Sequence, residues 1–71
     1  MLEEAYRRCP VGDSTAIAVE GEDQRAFDRF ALEVLDAAEM QAAGLIRVLR
    51  VEREEARGRG YLRGLEFLRV Q

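Results

Sequence analysis

The residues best equipped for chemistry lie near the end of the chain, in GLIRVLRVEREEARGRGYLRGLEFLRV (Gly44–Val70). Residues 44–71 carry seven arginines, at 47, 50, 53, 57, 59, 63 and 69, against four glutamates, at 52, 54, 55 and 66. A guanidinium is a rigid fork that fits phosphate and carboxylate oxygens. A hairpin bearing Arg53, Arg57, Arg59 and Arg63 could therefore grip a nucleic-acid backbone, in a salt-sensitive way. Tyr61 stands among these arginines and could stack on a base, although a tyrosine there more often caps the hairpin. The arginines also suit a second arrangement, in which they meet acidic side chains of a neighbouring protein. Residues 1–43 hold four arginines against ten Asp and Glu, so the chain itself carries the complementary charge. The sequence leaves both arrangements open.

Other chemistries lack their parts. The chain contains no His, Lys, Asn or Trp. Without His there is no imidazole acid–base pair to activate Ser or Cys, and with Cys9 as the single thiol a structural zinc site is not expected. Without Lys there is neither a Schiff-base amine nor a phosphate-loop lysine. The carboxylate pairs Glu3/Glu4, Glu22/Asp23, Asp36/Glu39 and Glu54/Glu55 are sequence neighbours on ends or polar faces. Catalytic carboxylates need contrasting environments across a cleft. The expectation is a non-enzymatic protein with no catalytic residues, no metal and no cofactor.

The elements that would position the arginines can be read from patterning. Leu2, Ala5, Tyr6 and Cys9 fall on one side of a short N-terminal helix, which Pro10 stops. Thr15–Glu20 is short, partly β-branched and bounded by turn residues, the signature of a strand. Phe27, Phe30, Ala31, Val34, Leu35, Ala38 and Ala42 repeat at helical spacing and predict one helix over about 23–43. Glu22 and Asp23 suit its positive end, and Gly44 with Leu45 suits its stop. Its polar side carries Arg25, Arg29, Glu33, Asp36 and Glu39. Leu45–Arg53 and Tyr61–Val70 read as strands of a hairpin.

Simple alternation places Leu45, Leu49, Val51, Tyr61, Leu65 and Phe67 on one hairpin face and Ile46, Val48, Leu62, Leu68 and Val70 on the other. Apolar residues on both faces imply two covered faces. One long helix covers one. Ile46, Val48, Leu62, Leu68 and Val70 are therefore the candidate interface with the N-terminal helix or a second copy. Two registers compete. One sets Arg50 opposite Glu66 but opposes Arg47 to Arg69 and Arg53 to Arg63, like-charge pairs that would ask for an anion. A shift by two residues sets Arg53 against Tyr61 instead.

The order of elements, with Ala43-Gly44-Leu45-Ile46 leading into the first hairpin strand, resembles a winged-helix DNA-binding domain. That resemblance implies that Arg57 and Arg59 are wing-tip contacts to phosphate or minor groove, with Glu39 and Gln41 near the end of the recognition helix. Residues 23–43 contain no Gly, Pro, Ser or Asn to divide that helix in two. The last elements also resemble, in their βαββ order, the dodecin-like flavin-binding oligomers, which implies an oligomeric two-layer fold.

The 71 residues are thus expected to form a single small α+β domain (residues 1–71). Its expected architecture is two-layer, in the order α-β-α-β-β. A three-stranded, mainly antiparallel sheet carries one long helix and a short N-terminal helix. So small a core has no disulfide to staple it. Self-association, most simply as a dimer, is the expected remedy. No apolar run approaches the roughly 20 residues of a membrane span, and MLEEAYRRCP lacks an apolar signal core. The expected setting is cytoplasmic, with a second copy, DNA or RNA as partner.

Overall fold

In the computed structural model, residues 1–54 and 60–71 are described, and five elements follow the expected order. They are α1 (Leu2–Arg8), β1 (Ser14–Ala18), α2 (Gln24–Ala42), β2 (Ile46–Glu54) and β3 (Tyr61–Arg69). Asp23 starts α2 as its N-cap, its carboxylate accepting from the Ala26 amide at 2.8 Å. This satisfies one of the free amides at a helix start. Gly44, at φ 79°, ends the helix. The Leu45 amide donates back to the Met40 carbonyl and the Gly44 amide to that of Gln41, each at 3.0 Å. This doubly bonded stop requires the left-handed backbone that glycine adopts without steric cost.

The sheet is antiparallel throughout, in the order β1-β3-β2. Its covered face meets both helices, and the core is built from Leu2, Phe30, Ala37, Ile46, Leu65 and Phe67. Arg69 ties α1 to this layer. Its guanidinium lies 4.3 Å from the Tyr6 ring centroid and donates to the carbonyls of Tyr6 (3.1 Å) and Cys9 (3.0 Å). A cation thereby satisfies acceptors at the negative end of a helix. Cys9 is buried, with its Sγ 3.3 Å from the Asp13 carbonyl, as a packed thiol.

Two β-bulges change the expected faces, the first with its extra residue, Leu49, in β2 and the second with its extra residue, Arg63, in β3. Ile46, Arg47 and Val48 oppose Arg69, Leu68 and Phe67. The ladder then shifts past Leu49, so that Arg50 and Val51 oppose Glu66 and Leu65. It shifts again between Glu52 and Arg53, which leaves Arg53 opposite Leu62 and Glu54 opposite Tyr61. An extra residue reverses the alternation after it. Ile46 and Val48 therefore share the covered face with Val51, Leu65 and Phe67, instead of lying opposite them. The middle segment keeps the favourable Arg50–Glu66 pairing of the first expected register. The opposed arginines of that register do not occur, because the bulges set Arg47 and Arg53 against leucines. The need for an anion between paired arginines disappears with them.

The helix stripe is also corrected. Phe27, Phe30 and Ala37 are buried and Val34 and Met40 half-buried, whereas Leu35, Ala38 and Ala42 are exposed. The sheet accepts a strip about two residues wide, narrower than the apolar arc of the sequence.

Candidate interaction surfaces

The arginine hairpin presents fewer free groups than its sequence suggests. Tyr61 points under the sheet, onto the covered side. Its ring stacks on Phe27 with centroids 4.5 Å apart and planes 9° from parallel, and its hydroxyl donates to Gln24 Oε1 at 2.6 Å. Arg63 points the same way. It donates to Glu22 at 3.0 Å, pairs with Glu54 at 2.9 Å, and lies 5.8 Å from the Phe27 ring centroid. Tyr61 and Arg63 thus clamp the start of α2 to the hairpin. The second bulge is what turns Glu54 under to meet Arg63, so the clamp depends on it. Arg57 and Arg59 lie outside the described residues.

Arg53 remains at the surface, opposite Leu62, on the side of the sheet away from the helices. Arg47 and Arg50 are exposed on that same side. Acidic groups interrupt this stripe. Arg50 lies 3.3 Å from Glu52, and Glu66 sits across from Arg50. The rest of the outer face is small or apolar: Ala16 and Ala18 on β1, and Gly64 and half-buried Leu68 on β3. Gly64 leaves a shallow depression there, rimmed by Arg50, Glu52 and Glu66.

Of the five expected interface residues, Ile46 is 2% exposed and belongs to the core, and Val48 packs against that core. Both are removed from any outer interface by the Leu49 bulge. Leu62 and Leu68 are half-buried on β3, Leu62 packed against the core, and Val70 is exposed just beyond the strand. The Val48 amide is taken by Gln41 Oε1 at 2.7 Å, which blocks one position on the open edge of β2. Filling edge donors in this way discourages strand addition.

The largest exposed apolar groups lie elsewhere, on α2. Leu32 and Leu35 are each 63% exposed. Successive helical residues turn by about 100°, so Leu32 faces almost directly away from the Phe30–Val34–Ala37 strip. Leu35, Ala38 and Ala42 continue from it around the side nearer β2. The signal for Leu35 was present in the sequence but assigned to the core. Leu32 was missed because it sits among charges, between Arg25 and Arg29 on one side and Asp36 and Glu39 on the other. All four charges are exposed. Beside them, Met1, Leu2, Met40 and Leu45 floor a groove between α1 and the second half of α2, with Glu3, Glu33, Asp36 and Glu39 at its mouth. Among the described residues no helix is long and apolar enough to cross a membrane. No family model, no curated protein and no solved structure matches this chain.

Proposed function

We propose that this chain is a small non-enzymatic interaction subunit that docks against protein rather than nucleic acid. The observation that carries the reading is the pair Leu32 and Leu35, each 63% exposed on the outer side of a helix whose inner side already fills the core. Two large aliphatic side chains in water on a regular helix are an asset only if something covers them. Support also comes from how the hairpin uses its residues. Tyr61, Arg63 and Arg69 are engaged inside the molecule and are not offered to a ligand.

A second reading keeps the nucleic-acid contact and the winged-helix resemblance. It is favoured by one feature, the alignment of Arg47, Arg50 and Arg53 along the exposed side of β2. Against it stand the interspersed Glu52 and Glu66 and the single uninterrupted helix Gln24–Ala42 where that family uses two. Fluorescence anisotropy of labelled duplex and single-stranded nucleic acid across a salt series separates the readings. The expected result is no binding even at low salt. Steeply salt-dependent binding that an Arg47→Ala/Arg50→Ala/Arg53→Ala variant abolishes would overturn the protein-docking reading.

A further inference from the structure

The charge order along α2 indicates what covers Leu32. A helix is stabilised by acidic side chains near its N-terminus and basic ones near its C-terminus. In this chain α1 obeys the rule, with Glu3 and Glu4 in its first turn and Arg7 and Arg8 in its last. Those four also pair with one another, Arg7 with Glu3 and Arg8 with Glu4. Beyond its N-cap, α2 does the reverse. It has no acidic residue in its first turn and no basic residue in its last. Arg25 and Arg29 occupy its N-terminal half, and Asp36 and Glu39 its C-terminal half. Among the described residues none of these four takes part in an ion pair. Arg25 and Arg29 are also four apart, so as like charges they destabilise the helix. The arrangement costs the isolated chain stability.

The same order is self-complementary when two copies of α2 meet antiparallel with Leu32 at the crossing. A two-fold axis through Leu32 pairs positions whose numbers sum to 64 or 65. Arg25 then faces Glu39 of the second copy, Arg29 faces its Asp36, and the two Leu32 side chains meet on the axis. A two-fold axis keeps each flank of the helix against the same flank of its mate. Leu35 and Ala38 therefore lie together on one side of the crossing and Arg29 and Asp36 on the other, with Arg25 and Glu39 close to the seam. The opposed helix dipoles are favourable in that arrangement as well. The remaining carboxylate on this surface, Asp28, is held by Gln24 at 2.8 Å. The groove beside α2 adds to the fit, because its acidic mouth at Asp36 and Glu39 is where the arginines of the second copy arrive.

We infer that the partner of this surface is a second copy of the chain, joined through an antiparallel α2–α2 contact centred on Leu32 with reciprocal Arg25–Glu39 and Arg29–Asp36 pairs. This rests on the protein-docking reading and names its partner. A contact built on one helix pair is small by the standard of specific interfaces, which bury about 1,200–2,000 Å², and its ion pairs are at the rim. The association is therefore weak and sensitive to salt.

Sedimentation equilibrium on the whole chain, up to about 1 mM at low salt, tests it with three variants. The wild type is expected to dimerise. Arg25→Glu/Arg29→Glu and Asp36→Arg/Glu39→Arg each convert four attractive pairs into repulsive ones, and each is expected to weaken dimerisation about tenfold or more. Both changes favour the helix dipole while leaving like charges along the helix, so at concentrations where the wild type is monomeric each variant should keep the wild-type far-ultraviolet circular dichroism and unfold cooperatively. An equimolar mixture of the two variants should dimerise again. The fourfold variant that exchanges all the charges should also dimerise, because reciprocity is restored within one sequence. A wild type that stays monomeric throughout overturns the inference while leaving a different protein partner available to the docking reading. A wild-type dimer that both double variants leave intact overturns it too. Nucleic-acid binding through the β2 arginines overturns the reading beneath it.

Discussion

Replacing Tyr61 with alanine tests whether the hairpin aromatic is a structural clamp or a platform awaiting a base. Deleting a fully buried large aromatic side chain costs about 3–5 kcal/mol. Tyr61 is half-buried, so roughly half of that, about 2 kcal/mol, is expected. The stacked Phe27 pair accounts for about 0.5–1.5 kcal/mol of it beyond simple area burial. For a chain of 71 residues total stability should be about 4–10 kcal/mol, so the loss is a large fraction. Urea unfolding followed by far-ultraviolet circular dichroism reads it directly. With a slope of about 1 kcal/mol per molar urea for so small a domain, the midpoint should fall by about 2 M. Tyr61→Phe keeps the stack and loses only the hydrogen bond to Gln24, so it should cost about 0.5–1.5 kcal/mol. Comparisons are made at one protein concentration, because self-association would add to the apparent stability. If Tyr61→Ala shifts stability by no more than the ~0.5 kcal/mol typical of surface changes, the clamp is not holding the hairpin to α2. The reasoning that removes Tyr61 from the nucleic-acid surface would then fail.

Three further outcomes are expected. Gly44→Ala should destabilise by about 1–2 kcal/mol, because φ 79° is a left-handed conformation and the new Cβ would lie 3.3 Å from Gln71 Nε2; urea midpoints check this. Asp23→Ala removes the cap on the Ala26 amide and should cost about 1 kcal/mol, with Asp23→Ser recovering most of it; a variant equal in stability to the wild type would remove the cap from the account. Arg69→Met leaves the Tyr6 and Cys9 carbonyls without their donor and should cost about 1–3 kcal/mol. Hydrogen exchange should then accelerate first at the Cys9 amide, which closes the last turn of α1, while the centre of β3 stays protected.

Much of this architecture is local, and local signals are legible. Pro10 ends the first helix from just past its C-cap Cys9, Asp23 caps the second, and Gly44 stops it. Each acts through backbone groups within five residues. The two helices and three strands therefore lie close to their expected boundaries. The hairpin faces were misjudged at Leu49 because a bulge is a property of a pair of strands. Nothing in IRVLRVERE alone distinguishes a residue in the ladder from one squeezed out of it. Arg63 and Tyr61 look like ligand contacts in the sequence because their partners Glu22, Gln24 and Phe27 lie more than 30 residues away.

The class of the fold is legible in the amino-acid order, since helical and alternating periodicities and their stop signals are written residue by residue. The same order also shows which chemistries the chain cannot perform with side chains it does not possess. Which apolar residues are covered depends on how the layers meet, and no local pattern records that. The strip a sheet can bury is set by the width of the contact between layers, and it left Leu32 and Leu35 in water, while the bulge at Leu49 turned Ile46 and Val48 inside. Which arginines are free is likewise settled by the fold. A guanidinium's availability depends on the carboxylates and rings that folding brings to it, and folding brought Glu22 and Phe27 to Arg63, and Tyr6 to Arg69, from the far half of the chain.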